Sequence, residues 1–362
     1  MDHASEALLL FLVVFTPWAF GTTQLWSIWT ANVAAYEIGA LLVAKWIMRH
    51  VLEFQPPRWG ETIVIRDDSG ELTPPPRPLD LFTAALAALT VFLLGYVLVS
   101  ALNARAVFDF STKQLEYLGD SLRWLPRSYD RSATWAAFAQ YLALACVFWG
   151  TRDWLMHRSD ADDREDDAPR WAERQTRITL PTRLRRLLWV LCLNAAVLAL
   201  VGALQRADGT NKLLWILGSK SNKAADNIFG PWSYRANAAQ YFNLVWPVCL
   251  AFWLWLQERA GRAAQRRSGR FDGPHLVLLP SAMFIAAAPV VSSSRGGAFV
   301  CAATGVACTL AILFVSRRHI AASARWLTVG SLAAAAALGI LGGWSSLKDR
   351  LARPDFRFAT GM

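Results

Sequence analysis

The sequence predicts an all-α, polytopic integral membrane protein with about nine transmembrane helices. Three observations carry that expectation. Of 362 residues, 54% are hydrophobic and only 18% are charged, whereas ordinary soluble domains hold about 25% charged residues. Nine stretches are long and apolar enough to cross a bilayer core, which takes about 20 mostly apolar residues. Many of the 18 Trp stand at the ends of these stretches, where interfacial aromatic belts form.

The stretches fall near 7–23, 27–48, 80–102, 133–150, 187–205, 236–256, 276–294, 296–316 and 326–344, within a single transmembrane domain over 1–362. The first is apolar from 7 to 21 apart from Thr16. It reads as a retained span, because the preceding MDHASE is acidic and no small-x-small cleavage site follows. The second carries Glu37 and Lys45, and the later ones are essentially free of charge. Helices of a soluble bundle need a polar face, and these runs have none. Trp18, Trp26, Trp46, Trp149, Trp189, Trp246, Trp255, Trp326 and Trp344 mark their ends. The same composition excludes intrinsic disorder and a nucleic-acid-binding tail. Five Cys in this length exclude a disulfide-stapled domain. All five (Cys146, Cys192, Cys249, Cys301, Cys308) lie inside spans and read as small apolar packing residues.

The net charge is +10, and the placement of Lys and Arg sets the expected orientation. The loop 257–274 holds five Arg, 316–325 holds Arg317, Arg318 and Arg325, 151–186 holds nine Arg, and 45–79 holds five basic residues. These four fall on one side if the spans alternate, and they are expected in the cytoplasm together with the N-terminus. The loops 102–132 and 206–235, the turn 292–296 and the segment 345–362 are then expected on the periplasmic face of a bacterial inner membrane. Within the cytoplasmic loops 50–79 and 151–186, Ile63, Val64 and Ile65 before DDSG read as a small hairpin. TPPPRP at 73–78 reads as a stiff linker. The charge-dense 159–170 reads as a solvated loop.

Several chemistries leave no trace: there is no Walker A loop, no GxGxxG after a strand, no HExxH and no CxxC. No cofactor, metal or nucleic acid is expected. The five His (His3, His50, His157, His275, His319) all map to the cytoplasmic side or the N-terminus. His275 beside Pro274 reads as an interfacial residue.

Two places on the expected outer face stand out. In VVSSSRGGAFV (290–300) one span ends and another begins. Ser294 is a natural N-cap and Arg295 opens the next helix. Backbone N–H groups, the positive helix end and a guanidinium would make an anion site there. Ser292 and Ser294 would line it, and Gly296 and Gly297 would allow close approach of a ligand or of a neighbouring helix. The second place is FGPWSYRANAAQYFNLVWP (229–247). Tyr234 and Arg235 stand where a span begins, and Asn237, Gln240 and Asn243 recur along one side of it. That stripe reads either as the wall of an outward-facing polar cavity or as interhelical hydrogen bonding. Lys212, Lys220 and Lys223 in the preceding loop add positive potential suited to a polyanionic headgroup.

The pattern G-x-x-x-x-R-x-N-x-A-x-Y, followed downstream by S-x-S-R-G-G at the head of a span, resembles the O-antigen ligase/polymerase superfamily. Gly230, Arg235, Ala239 and Tyr241 match the first region, with Ala236 where the family often has Asn. Ser292, Ser294, Arg295 and Gly296 match the second. The resemblance implies a membrane glycosyltransferase of the GT-C type, working on lipid-linked glycans without nucleotide sugars. It would move a glycan from undecaprenyl diphosphate to an acceptor, either lipid A core or a growing polysaccharide, at the periplasmic face. Arg295 and Arg235 would act on the diphosphate. Ser292, Ser294, Gly296, Tyr234, Asn237, Gln240, Lys220 and Lys223 would bind substrate. The partners implied are the lipid-linked glycan, its acceptor and membrane lipids.

The family carries a later periplasmic loop with a functional His and then further spans. Here the chain stops at DFRFATGM (355–362), with no His after His319, so the catalytic set is expected to be incomplete. Two other readings stay open. One is a transporter or flippase for an anionic or lipid-linked solute, for which Glu37 is the candidate coupling carboxylate. The other is an inactive fragment or membrane scaffold.

Overall fold

The computed structural model describes residues 1–53, 81–109, 111–119, 121–157, 180–218, 227–266, 273–315 and 322–352, without the side chains of 261–266, 315, 322–323 and 342–352. The expected hairpin near 63–65, the linker 73–78, the charge-dense 159–170, Lys220, Lys223 and residues 353–362 lie outside the described residues.

The chain is an all-α polytopic membrane protein in architecture. Among the described residues, eight helical segments are long and apolar enough to cross a membrane. They are α2 (Leu25–Val51), α3 (Leu81–Leu102), α4 (Arg131–Met156), α5 (Thr182–Asp208), α6 (Arg235–Arg266), α7 (Leu278–Val291, entered through the tight turn Pro274–Val277), α8 (Arg295–Leu310, continued by a wider turn Ala311–Val315) and α9 (Ala322–Ala352). The first stretch, expected over 7–23, folds as α1 (Asp2–Trp18), a helix of 17 residues. It stops early for a backbone reason. Pro17 lies in its last turn, and Phe20, Gly21 and Thr22 all take left-handed φ values of 54°, 60° and 53°, which no right-handed helix accommodates.

The chain divides into two compact units, Met1–Leu12 with Ile28–Leu184 and Val13–Ser27 with Arg185–Met362. In the first unit α2 packs closely on α4. A Cβ built at Gly39 would lie 2.5 Å from Cys146 Sγ, and one at Gly150 would lie 2.2 Å from Ile38 Cγ2. Both glycines therefore allow an approach that alanine would block. The Tyr36 hydroxyl donates to the Ala139 carbonyl at 2.7 Å. Against α3, Trp149 Nε1 donates to Thr90 Oγ1 at 3.3 Å, and Arg152 donates to Thr83 Oγ1. The residues after α3, expected as plain loop, add a hairpin, β1 (Ala106–Asp109) paired antiparallel with β2 (Gln114–Tyr117).

The second unit is built around α7, the most enclosed of the eight spans. It packs on α6 and on α9, where a Cβ at Gly339 would lie 2.9 Å from Val290 Cβ. Trp246, Trp253, Phe229, Phe242, Leu198, Leu278 and Ile285 are fully buried in this unit. A second small hairpin joins β3 (Lys212–Leu213) and β4 (Leu217–Gly218). The cysteines are free thiols, Cys192 and Cys249 buried and the other three half-buried, in keeping with a packing role. His275, expected at the interface, is buried within the protein, with Nε2 2.8 Å from Gln257 Oε1. Glu37 is exposed on α2.

Candidate anion site at two helix N-termini

The SSSRGG turn folds as a connection between α7 and α8. Ser292 closes α7: its N–H donates to the Ala288 carbonyl at 2.8 Å and its hydroxyl to the Pro289 carbonyl at 2.8 Å. Ser293 turns the chain with φ +58° and is fully buried. Ser294 is the N-cap of α8, as the sequence predicts, and its Oγ accepts from the Gly297 N–H at 3.2 Å. That bond satisfies one of the N–H groups a helix start leaves open. Arg295 is the first residue of α8 and is exposed, as is Gly296.

The adjacent glycines do different work. A Cβ at Gly297 would lie 2.3 Å from the Ala239 Cβ of α6, while one at Gly296 would meet nothing within 4 Å. Gly297 brings α6 and α8 together, and Gly296 keeps the ground beside Arg295 open. Asn243 fixes the same junction by donating from Nδ2 to the Gly297 carbonyl at 2.9 Å. Ala239 stands one turn into α6 and Gly297 stands in the first turn of α8. The two helix starts therefore lie side by side, each opened by an arginine, Arg235 and Arg295. The positive ends of two helix dipoles are gathered in one region, with an arginine as the first residue of each helix. The two motifs singled out in the sequence are thus brought together.

The aromatic Gly-Pro turn supports the start of α6. Phe229 and Trp232 exchange both backbone hydrogen bonds at 3.1 Å, with Gly230 between them at φ +58°. Phe229, Trp232, Tyr241 and Phe242 pack as an aromatic cluster, with ring centroids 5.3–5.9 Å apart. Gly202 of α5 and Gly21 make room for it, since a Cβ at either would fall within 2.7 Å of the Phe229 or the Trp232 ring. Arg235 donates to Asn227 Oδ1 at 2.6 Å.

The polar stripe of α6 divides. Asn243 makes the interhelical bond just described. Asn237 and Gln240 are exposed on another side of the helix, and Tyr234 is exposed at its head. Sequence reasoning missed Arg206, at the end of α5. Its guanidinium donates to Ser293 Oγ at 2.8 Å and so ties α5 to the turn before Arg295. The available signal was its place in the last turn of a span, on the side of the membrane where alternation of the spans also puts that turn. Asn227 left no such signal.

A separate polar cluster joins helix ends in the first unit. Asp2 bridges Lys45 at 2.8 Å and Arg183 at 2.7 Å. Arg183 also donates to the Trp154 carbonyl at 2.8 Å, and Lys45 to Ser5 Oγ at 2.9 Å. Arg49 forks onto Asp153 at 2.6 and 3.1 Å, and His157 Nδ1 lies 2.5 Å from the Asp153 carbonyl oxygen. Burial pushes the Asp2 carboxyl up, but the hydrogen bonds and charges of Lys45 and Arg183 outweigh it and hold the group well below the usual carboxylate range. Burial lowers His157, opposed by Asp153 and reinforced by Arg49. The partners of Asp2 are the structural surroundings of a helix start, since both cations are themselves buried.

No family model, curated protein or solved structure matches this chain. Among the described residues, no group of three or more His, Cys, Asp or Glu is placed to hold a metal ion.

Proposed function

We propose that this chain is a membrane glycan transferase of the O-antigen ligase/polymerase kind. It takes a glycan from undecaprenyl diphosphate and passes it to an acceptor, lipid A core or growing polysaccharide. The single observation that carries this reading is the pairing of the α6 and α8 starts through Ala239 and Gly297, each headed by an arginine. A diphosphate presents two adjacent anionic groups, and two neighbouring cationic helix starts suit it.

In the proposed reaction the acceptor hydroxyl oxygen forms a bond to the anomeric carbon. The bond from that carbon to the diphosphate oxygen breaks, the diphosphate leaves with the electron pair, and the hydroxyl proton passes to a base. Arg295, Arg235 and the N–H groups at the start of α8 stabilise charge that grows on the leaving oxygen, the kind of electrostatic help that is worth most in a site shielded from water. Ser292, Ser294 and the Arg206–Ser293 bond hold the Arg295 turn in place. Tyr234, Asn237 and Gln240, exposed near the head of α6, are assigned to the carrier or glycan. In this reading the N-terminus lies in the cytoplasm and this site faces the periplasm of a bacterial inner membrane, an orientation that the Arg-rich loops support. The exposed position of Glu37 speaks against the transporter alternative, because a coupling carboxylate belongs in the bundle interior or a wet cavity.

The test is glycan transfer from undecaprenyl diphosphate in membranes carrying the chain, where transfer supports this reading and sets aside the expectation of an incomplete catalytic set. Arg295→Ala is expected to lower transfer roughly a hundredfold, with partial recovery in Arg295→Lys and no loss of inserted protein. Transfer by Arg295→Ala at the unsubstituted rate would contradict the assignment.

A further inference from the structure

The connection between α3 and α4 is a built surface in the first unit and no part of the proposed diphosphate site. Asn103, buried at the end of α3, ties it down. Its Nδ2 donates to the carbonyls of Leu122 at 2.9 Å and Pro126 at 3.2 Å, and its Oδ1 accepts from the Leu122 N–H at 2.6 Å. The Arg105 N–H donates to the Ser128 carbonyl at 3.0 Å. Asp130 caps α4 through the Ser132 N–H at 3.0 Å. Residues 122–131 are therefore held by hydrogen bonds at both ends.

This fixed segment presents an alternation of apolar and cationic side chains. Leu122, Trp124 and Tyr129 are 48%, 78% and 61% exposed. Arg123, Arg127 and Arg131 stand between and beside them, Arg123 and Arg131 exposed and Arg127 half-buried. Among the described residues no carboxylate pairs with these three arginines. The one acid in the segment, Asp130, is spent on the helix cap. The flanking helices carry their apolar exposure up to the loop, with Tyr96 and Leu102 on α3 and Trp135 on α4 all exposed. In a spanning protein those surfaces face lipid, so the loop sits at the boundary between acyl chains and headgroups.

A Trp between arginines at that depth has a natural complement. The indole partitions among carbonyls and upper acyl chains, while guanidiniums reach outward to phosphate. Arg–phosphate pairs are charge-assisted and frequently bidentate. We propose that residues 122–131 form a binding platform for anionic phospholipid headgroups. This anchors the α3–α4 pair in the membrane interface. The proposal does not rest on the glycan-transfer reading.

The test places Trp124→p-benzoylphenylalanine in the full chain, reconstituted in nanodiscs of equal phosphatidylglycerol and phosphatidylcholine. Irradiation is followed by mass spectrometry of the lipid adducts. Phosphatidylglycerol adducts are expected to exceed phosphatidylcholine adducts about fivefold or more, since each basic residue near an anionic surface contributes at about that level. In the same background, Arg123→Gln, Arg127→Gln and Arg131→Gln together are expected to bring the ratio to that of the bilayer. The matching Lys substitutions are expected to keep the excess, which separates lost charge from lost folding. Equal adducts with the native arginines, an excess that survives the Gln substitutions, or cross-links to protein alone would each overturn the proposal.

Discussion

Gly296 and Gly297 are neighbours in sequence and opposites in environment, and this gives a sharp residue-scale prediction. Gly297→Ala would drive a methyl to within 2.3 Å of Ala239 Cβ, forcing α6 and α8 apart. The expected cost is about 1–3 kcal/mol, the usual range for overpacking, with the Asn243 bond to the Gly297 carbonyl strained as well. Gly296→Ala adds a methyl in open space at a helical position and is expected to be neutral or slightly stabilising, because Ala is the better helix former. Thermal unfolding of the purified variants in detergent checks the pair. Equal melting temperatures would show that the helix contact is not tight. At this scale Ser294 was legible from sequence, since a Ser before a helix start has few other uses. The division of labour between the glycines was not legible. It depends on which side of α8 meets α6, and a mean apolar run of this kind carries no face preference to say so.

At the scale of elements, the ends of α1, α2, α4 and α5 are joined through ionisable side chains, so unit one should respond to acid. Burial lowers the folded-state His157 below its ordinary value of 6.5. The folded chain then takes up fewer protons than the unfolded chain as pH falls below 6.5. The contribution is full above that value and is lost as pH falls through the folded value. Asp2, held low mainly by Lys45 and Arg183 against the opposing effect of burial, contributes above its ordinary 3.8 and loses its contribution further into acid. Melting temperature should therefore decline as pH falls below about 6.5, and His157→Gln should flatten that decline. An unchanged acid slope in the variant would remove His157 as its source. Sequence reading placed these residues on one side of the membrane through loop alternation. Their pairing was beyond it, because an ion pair between Asp2 and Arg183 spans most of the first unit's sequence and no local pattern records it. The α3–α4 hairpin was missed for a related reason: AVFD and QLEY are too short to show a strand period.

Across the whole molecule, hydropathy made the spans legible, since a bilayer demands long apolar helices whatever the function. Eight segments meet that demand. The early end of α1 was hidden because its cause is backbone geometry at Phe20, Gly21 and Thr22, two of which are not glycine. The two motifs were legible one at a time. Their meeting was not, since it rests on Gly297 against Ala239 across two helices. That meeting carries the proposed link to a lipid diphosphate, and it can be probed apart from any transfer chemistry. The direct measurement is equilibrium binding of undecaprenyl diphosphate to the purified full chain in nanodiscs. Saturable binding is predicted, weakened about tenfold or more by Arg295→Ala and by Arg235→Ala, the loss expected for one charge-assisted contact. Absence of saturable binding, or an affinity in both variants equal to that of the unsubstituted chain, would contradict the account.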